Sequence, residues 1–324
     1  MIDVYPVQDA LAVIEDESLG NGGGPYNLLK DLSKMGVEIP LTGVGLVGKD
    51  SDGDYILKDC KNFAIDCELI KVTNEAPTSY TDVMSVNSTG RRTFFHQRGA
   101  NALLNESHFD LSKCNAWLLH LAYLNLLDSL DFIDDSGYTG ATHVLKKARE
   151  LGMKTSIDLV SVESDMFNRV IKPSLPFVDY FLLNEIEAER IADVQIVKGE
   201  EVDLEAVGNA AEKLIGMGIG NLVVIHFPDG ALAMDTNGKN YVQGSLYVPT
   251  EEIKGTVGAG DSFAAGMLYG LHENWPIDKC LNLAVCVSAS CLYDATTSGG
   301  ILPLNECLAL GEKYGYRKIV KIQD

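Results

Sequence analysis

Short apolar runs alternate with helical patterns over most of this chain, and that alternation restricts the fold more than any other feature. Buried strands are predicted at 116–121, 154–159, 177–183 and 222–226. Helices are predicted at 141–151, 204–215 and 304–310, and the stretch 259–294 is largely helical. Repeated strand–helix units predict an α/β fold with a doubly wound, mainly parallel sheet flanked by helices.

The segment 68–99 departs from this alternation because it is rich in Thr, Val, Ser and Tyr. A turn at 87–90 (Asn-Ser-Thr-Gly) predicts an antiparallel hairpin there. We therefore expect a small β-sheet lid, formed by 4–20 and 68–99, that interrupts a larger α/β domain of 21–67 and 100–324. A chain of 324 residues is long enough for one large α/β domain with such a lid.

The charge balance restricts the partners of this chain. It carries 26 Lys and Arg against 46 Asp and Glu, a formal net charge of −20. An acidic surface repels phosphate backbones and anionic lipid headgroups, so neither nucleic acid nor a membrane is an expected partner. A polyanionic ligand such as ATP would have to be held by backbone amides, helix N-termini or a metal ion.

The cysteine pattern and the amino end both indicate a cytoplasmic protein. Seven cysteines form an odd set with no C-x-x-C pair and no zinc-type spacing, which favours reduced, buried thiols. The amino end lacks a basic segment followed by an apolar run, and no stretch reaches the roughly 18 apolar residues of a membrane span. We therefore expect neither secretion nor membrane insertion.

The most informative motif is 254–266, where a turn of small residues leads directly into a predicted helix. Consecutive backbone amides at a helix N-terminus bind anions, and Gly258, Ala259 and Gly260 leave room for a phosphate. Asp261 follows them and would repel a phosphate, unless it accepts a proton from an alcohol that attacks the phosphoryl group. In the alternative interpretation, Asp261 only stabilises the first turn of the helix.

Two further motifs stand at the start of predicted helices. Gly23 and Asn27 belong to the run 22–27 (Gly-Gly-Gly-Pro-Tyr-Asn). Asn184 and Glu187 follow a predicted strand, at the carboxyl end where open α/β sheets bind ligands. Both motifs also have structural interpretations: a glycine-rich turn with an exposed Asn, and an Asn cap with acidic residues in the first helical turn.

Together these motifs resemble the ribokinase-like, or PfkB-type, carbohydrate kinases. The C-terminal signature of that family is Asp-Thr-x-Gly-Ala-Gly-Asp, and 255–261 reads Gly-Thr-Val-Gly-Ala-Gly-Asp here. The resemblance implies a ribokinase-like fold in which Asp261 is the general base that activates a sugar hydroxyl. It also implies that the amides of Gly258, Ala259 and Gly260 form the anion hole for the transferring phosphoryl group.

The same resemblance implies roles for residues elsewhere in the chain. Gly23 and Asn27 would bind the sugar, and Asp3 is a further candidate for contacting its hydroxyls. Asn184 and Glu187 match the Asn-x-x-Glu motif of the family. The resemblance therefore implies that these two residues place Mg²⁺, through water, near the phosphates of ATP.

The sequence departs from the family pattern at three places. Gly255 stands where the family usually has an Asp that helps to bind a monovalent cation, so the need for such a cation is open. The run 226–230 (His-Phe-Pro-Asp-Gly) replaces the usual Thr-x-Gly near the nucleotide, and only Gly230 is expected to contact it. The usual first strand of the family would precede Asp3, where this sequence has two residues.

Two other features allow more than one interpretation. His96 and Arg98 end a basic stretch of the predicted lid and are candidates for contacting a substrate hydroxyl or carboxylate; exposed strand residues without a special role are the alternative. The run 43–48 satisfies Gly-x-Gly-x-x-Gly, which in a dehydrogenase binds a dinucleotide. However, the next helix is predicted to start only near Ser51, and the stretch also resembles the Val-Gly-x-Asp-x-x-Gly segment of the kinases.

The sequence thus predicts an ATP- and Mg²⁺-dependent kinase that phosphorylates a hydroxyl, preferentially a primary one, of a small carbohydrate. A nucleoside kinase on the same scaffold and a catalytically weak sugar- or nucleotide-sensing protein are the alternatives. The lid is expected to exclude water from the site. Its exposed apolar face is expected to pair two chains in a homodimer. The sugar itself is left open, because the side chains of the lid decide it.

Overall fold

The computed structural model describes residues 1–89, 91–159, 167–199 and 201–319. The strands in this part of the chain are β1 (Thr42–Gly48), β2 (Asp66–Thr73), β3 (Tyr80–Ser85), β4 (Arg92–Gln97), β5 (Leu118–Leu124), β6 (Lys154–Leu159), β7 (Tyr180–Asn184), β8 (Val197–Lys198), β9 (Glu201–Val202), β10 (Leu222–Phe227), β11 (Gly230–Asp235) and β12 (Asn240–Gly244). The α-helices are α1 (Gly24–Met35), α2 (Ser51–Asn62), α3 (Asp128–Asp131), α4 (Gly140–Glu150), α5 (Phe167–Ile171), α6 (Glu185–Ala192), α7 (Leu204–Gly216), α8 (Ala259–His272), α9 (Ile277–Cys291) and α10 (Leu304–Tyr314).

The central sheet has six strands in the order β12-β11-β10-β7-β6-β5. Neighbouring strands from β10 to β5 pair in parallel, whereas β11 and β12 extend the edge of the sheet in antiparallel pairs. All four predicted buried strands are present in this sheet, which confirms the mainly parallel, doubly wound architecture. The register pairs His226 on β10 with Asn184 on β7, so these residues lie side by side at the carboxyl edge.

Helices cover both faces of the sheet, as the alternation of side chains along β7 demonstrates. Phe181 and Leu183 pack into a core shared with α4, α6 and α7. Tyr180 and Leu182 point to the other face, where they pack into a second core with α1, α8, α9 and α10. Because both faces are covered, this strand reads as a continuous apolar run.

Helix α8 lies unusually close to α9. A Cβ atom on Gly266 would be 2.8 Å from the Cα of Ala284, and one on Gly270 would be 2.8 Å from the Sγ of Cys280. These glycines therefore let the two helix backbones approach each other. The contact holds α8 so that its first turn faces the carboxyl edge of the sheet.

The segment predicted to form a lid contains the antiparallel hairpin of β3 and β4. Of the predicted turn at 87–90, Gly90 lies outside the described residues. The amino-terminal segment joins the hairpin, because Ile2 donates to the carbonyl of Ser85 and accepts from the amide of Asn87, both at 2.9 Å. The prediction of antiparallel pairing was wrong for the first part of 68–99, since β2 pairs in parallel with β1. The parallel pairing arises because helix α2 connects the two strands and brings β2 back beside β1 in the same direction.

The glycine motif at 43–48 lies entirely within strand β1. A dinucleotide site requires these glycines in a turn between a strand and a helix, so the dehydrogenase alternative is wrong. Asp50 caps α2 instead, because its Oδ1 accepts from the amide of Gly53 at 2.9 Å.

Two whole-chain expectations concern cysteines and membranes. All seven cysteines lie in the described residues as free thiols, five of them buried. The predicted burial of most of these thiols is confirmed. Within the same residues, no helix has both the length and the apolar content to span a bilayer.

Candidate active site

A pocket of about 250 Å³ lies at the carboxyl edge of the central sheet, where the first turn of α8 meets the ends of four strands. Three carboxylates face it, and none of the described lining residues is a Lys or an Arg. The lining residues are Tyr123, Asp158, Leu159, Asn184, Glu187, His226, Gly258, Gly260 and Asp261.

Asp261 lies in the first turn of α8 and is 8% exposed. Its Oδ2 accepts a hydrogen bond from the Nδ2 of Asn27 at 2.7 Å. Burial raises the pKa of Asp261 to about 6, while hydrogen bonds from Asn27 and Tyr123 oppose that rise. The N-cap of α8 is Gly258, and no side chain caps this helix. The hydrogen-bond partners of the Asp261 carboxylate, Asn27 and Tyr123, come from other elements.

The anion-binding turn differs in detail from the prediction. Gly258 and Gly260 both line the pocket, whereas Ala259 does not. The amide of Ala259 donates to the carbonyl of Thr256 at 3.3 Å. Gly258 adopts a left-handed conformation with φ of 87°, and a Cβ there would be 2.2 Å from the carbonyl oxygen of Thr297. Above Gly260 the space is open, because the nearest atom to a Cβ would be in His226 at 3.7 Å.

Asn27 reaches Asp261 because α1 begins at a glycine turn. Gly23 precedes the helix with φ of 96°, and its carbonyl accepts from the amide of Asn27 at 2.9 Å. A Cβ on Gly24 would be 2.9 Å from the ring of Tyr123, so only glycine lets α1 approach β5 this closely. Asn27 is buried, which excludes the alternative of a solvent-exposed Asn.

Asn184 and Glu187 form a reciprocal cap at the start of α6. The Oδ1 of Asn184 accepts from the amide of Glu187 at 2.8 Å, and the Oε2 of Glu187 accepts from the amide of Asn184 at 3.1 Å. The capping interpretation of this motif therefore holds. Both residues also line the pocket, and Glu187 is buried. The cap orients these side chains at the edge where a ligand would bind.

Three polar lining residues, Tyr123, Asp158 and His226, were not among the predicted site residues, and neither was the apolar Leu159. Each lies at or next to the carboxyl end of a strand of the central sheet. The strand-end rule that pointed to Asn184 would have found them as well. Burial raises the pKa of Asp158 well above its ordinary value, and the nearby carboxylates of Asp261 and Glu187 raise it further.

A break in the strand pairing positions Tyr123. The register between β5 and β6 shifts between Leu121 and Leu124, and Tyr123 has a positive φ of 62°. Such irregularities redirect a side chain out of the strand alternation, and they concentrate at functional sites. Here the change brings the Tyr123 hydroxyl to Asp261.

The donor set of the pocket suits Mg²⁺. Carboxylate and amide oxygens are the ligands that this ion prefers, and Asp158, Glu187 and Asn184 supply them. Among the described residues, no three His, Cys, Asp or Glu side chains converge tightly enough to bind a metal ion alone. An ion here would therefore take further ligands from water and phosphate, as Mg²⁺ usually does.

Comparison with known proteins identifies the family of this chain. Residues 1–303 match the family described as pfkB family carbohydrate kinase. The chain belongs to this family. It is 25% identical over 267 residues to the adenosine kinase of Schizosaccharomyces pombe, and the match covers 80% of this chain and 75% of that protein. It is also 25% identical over 286 residues to the ribokinase of Dictyostelium discoideum, covering 85% of this chain and 84% of the other.

Solved structures have the same fold as this pfkB-family chain. The ribokinase of Thermotoga maritima superimposes with a TM-score of 0.78 at 18% identity, covering 96% of this chain and 94% of that one. The ribokinase of Arabidopsis thaliana, complexed with ribose and ATP, superimposes with a TM-score of 0.71 at 19% identity, with coverages of 89% and 86%. These likenesses confirm the ribokinase-like fold.

Asp3, Arg98 and Gly230 are predicted site residues that lie outside the lining of the pocket of this pfkB kinase. The Oδ1 of Asp3 accepts from the amides of Val4 and Val13, at 2.8 and 3.0 Å, within the amino-terminal segment. Arg98 forms an ion pair with Asp128. Gly230 is buried at the start of β11.

Gly230 and His96 have structural contacts that account for their positions without a ligand. A Cβ on Gly230 would be 2.3 Å from the carbonyl oxygen of Gln243, so this glycine serves the close pairing of β11 and β12. His96 is exposed on β4, with its Nδ1 2.8 Å from the hydroxyl of Thr81. The alternative of an exposed strand residue fits His96.

Proposed function

We propose that this pfkB-family kinase transfers the γ-phosphate of ATP to a hydroxyl, preferentially a primary one, of a small carbohydrate. The observation that carries the proposal is the position of Asp261: a buried carboxylate beside the open amide turn of Gly258 and Gly260, fixed by Asn27. A base and an anion site within one helical turn are the two elements that in-line transfer needs.

Asp261 acts as the general base. A pKa of about 6 leaves its carboxylate mostly ionised at neutral pH, yet closer to that pH than an ordinary aspartate. The substrate oxygen attacks the γ-phosphorus and the bond to the β-phosphate oxygen breaks, while Asp261 accepts the hydroxyl proton. Asn27 and Tyr123 hold the carboxylate in the orientation for that transfer.

The amides at the start of α8 bind the phosphoryl oxygens. The first amides of a helix have no intrahelical partner and carry the positive end of the helix dipole. When bound, Mg²⁺ neutralises part of the charge on the ATP phosphates, and Asn184, Glu187 and Asp158 would hold it. This arrangement compensates for the lack of Lys and Arg among the described lining residues.

The lid, for which we propose the segments 4–20 and 68–99, covers the sugar. A kinase with an open site would transfer phosphate to water, so closure over the substrate suppresses hydrolysis. Phe94 and Phe95 on β4 are 57% and 51% exposed, and Val83 on the paired strand β3 is also exposed. We propose that this apolar surface pairs with the same surface of a second chain in a homodimer.

A nucleoside kinase is the second candidate. The likeness to the S. pombe adenosine kinase is as strong as that to the D. discoideum ribokinase, and the base and anion turn would serve either acceptor. A catalytically weak sugar or nucleotide sensor is the third. It would bind ligands through the same pocket without phosphoryl transfer.

A substrate panel tests the proposal. The protein is incubated with ATP, Mg²⁺ and pentoses, hexoses, ketogluconate or nucleosides, and ADP release is measured. Asp261→Asn should reduce turnover at least about a hundredfold, the scale of general-base catalysis. Asp278→Asn, at an exposed position of α9, is the matched control and should keep the rate.

Each outcome of the panel is decisive. Phosphorylation of a sugar supports the leading proposal, and phosphorylation of a nucleoside alone supports the second candidate. Thermal stabilisation by these ligands without ADP release supports the sensor. Near-normal phosphorylation by Asp261→Asn would overturn the role of Asp261.

A further inference from the structure

His226 lies next to the amide turn but has no part in the roles described so far. It stands one residue before the end of β10, beside Asn184 on β7. The Cε1–Nε2 edge of its ring faces Gly260, at 3.7 and 3.8 Å from the position that a Cβ there would occupy. The ring also packs against Phe263 of α8, with 5.1 Å between centroids. These contacts hold the imidazole against the side of the pocket where the anion turn lies.

The ring nitrogens of His226 form no hydrogen bond to any other described residue, and the half-buried ring is open to the pocket that it lines. His120, which is also half-buried, has a protein partner, since its Nδ1 lies 2.5 Å from the hydroxyl of Ser156. Because the imidazole of His226 lines the pocket without a protein partner, its N–H group is free to bind a ligand.

We propose that the Nε2–H of His226 donates a hydrogen bond to the terminal phosphoryl group of ATP. This inference rests on the proposed function, because the phosphoryl group is placed over Gly258 and Gly260 beside Asp261. The Cε1–Nε2 edge of the ring borders that space at Gly260. His226 is thus a phosphate-positioning residue, and it occupies the position where the family pattern usually has Thr.

The protonation state of the ring agrees with this role. Burial lowers the pKa of His226 to about 4, so the imidazole is neutral at pH 7 and donates from one nitrogen only. The titratable groups that share its pocket are Asp158, Glu187, Asp261 and Tyr123. A neutral donor binds the phosphate without needing a carboxylate to compensate a buried positive charge.

Binding calorimetry separates the terminal phosphoryl group from the rest of the nucleotide. The probes are the Mg²⁺ complexes of a non-hydrolysable ATP analogue with an imido bridge and of ADP. His226→Phe keeps an aromatic ring but removes the donor, and should weaken the ATP analogue about tenfold or more, the scale of a hydrogen bond to a charged group. ADP affinity should stay within about twofold, and His226→Gln, which keeps a donor, should recover most of the loss.

The control is His120→Phe, which removes a half-buried imidazole outside the pocket and should change neither affinity. If His226→Phe fails to fold, His226→Ala is measured in the same way. The proposal is overturned if His226 variants bind the ATP analogue as tightly as the unaltered protein, or lose ADP and the analogue equally. Loss of the analogue alone supports it even if the substrate panel finds no acceptor, so the two proposals fail separately.

Discussion

The side-chain amide of Asn27 donates to Oδ2 of Asp261 at 2.7 Å, joining two residues that are 234 positions apart in the chain. The Oδ1 of the same Asn27 accepts from the hydroxyl of Thr297 at 2.9 Å, and the carbonyl of Thr297 lies against Gly258. The start of α1, the start of α8 and the loop after α9 therefore meet at one carboxylate. This network orients the proposed base and holds the anion turn together.

Removing the amide donor should shift the pH dependence of catalysis. Asp261 must be ionised to accept a proton, so activity is present above its pKa and is lost as pH falls through about 6. The hydrogen bond from Asn27 lowers that pKa, and its loss therefore raises it. We expect Asn27→Leu to move the acid limb of kcat/KM for ATP upward by about one pH unit.

The control for this prediction is Asn62→Leu, at an exposed position of α2, which should leave the acid limb unchanged. Rates are measured from pH 5 to pH 8 with the acceptor held well below saturation. An acid limb at the same pH in Asn27→Leu would show that the hydrogen bond does not stabilise the ionised form of Asp261.

Asp31 on α1 is a fully buried carboxylate whose charge should cost stability. Its Oδ2 accepts from the hydroxyl of Ser262 at 2.6 Å, but burial raises its pKa from 3.8 to about 7. The folded protein thus binds a proton more tightly than the unfolded chain. The contribution of Asp31 to the free energy of unfolding therefore falls as pH rises from about 4 to about 7.

We expect Asp31→Asn to stabilise the protein more at pH 8 than at pH 5, by roughly 2 to 3 kcal/mol. Urea unfolding at the two pH values measures the difference. Asp278→Asn removes an exposed carboxylate and should show no such pH dependence. Equal effects of Asp31→Asn at both pH values would mean that Asp31 ionises in the folded protein as easily as in the unfolded chain.

Two glycines of the anion turn should respond differently to a methyl group. A Cβ at Gly260 meets only His226, at ordinary contact distance, so Gly260→Ala should fold with nearly unchanged thermal stability. The methyl group would occupy the space over the amides, and the affinity for ATP should fall about tenfold or more. Gly258→Ala combines a positive φ with a clash against Thr297, and should destabilise the fold by about 2 kcal/mol or more.

Thermal unfolding and nucleotide titration of the two variants check this contrast. If Gly260→Ala binds ATP as the unaltered protein does, the phosphates do not lie over this turn. If Gly258→Ala is fully stable, the loop at Thr297 must be able to move away from α8.

Activity should not depend on potassium. Gly255 lacks the carboxylate that the family pattern has at this position, and the Nη2 of Arg92 donates to the carbonyl of Ala295 at 3.2 Å. The same atom lies 3.1 Å from where a Cβ of Gly255 would be. A guanidinium group thus already supplies a positive charge to this loop.

Rates in potassium, sodium and choline chloride at equal ionic strength should therefore agree within about twofold, the size of a general salt effect. Arg92→Ala should lower the rate in all three salts. Lys71→Ala, at an exposed position of β2, is the control for loss of a surface charge. A rate that increases several-fold with potassium alone would contradict the prediction.

The local elements of the candidate site were predictable from the sequence. The glycine turn before Asn27, the small residues before Asp261 and the strand before Asn184 each have a short-range pattern with a known structural result. The cap formed by Asn184 and Glu187 follows the same logic, since its partners are three residues apart. Asp3 and Gly230 were inferred from position in a family pattern, and Arg98 from a basic stretch of the predicted lid. Each of the three has contacts elsewhere.

By itself, the sequence determined the alternation of strands and helices, and hence a doubly wound sheet with binding residues at its carboxyl edge. Only the tertiary structure decided that Tyr123, Asp158 and His226 converge with Asp261 in one pocket. The physical reason is the separation along the chain of the residues that interact. Periodicity and caps act over a few residues, whereas this convergence depends on strand order, on the shift in register between β5 and β6 and on the close packing of α8 against α9.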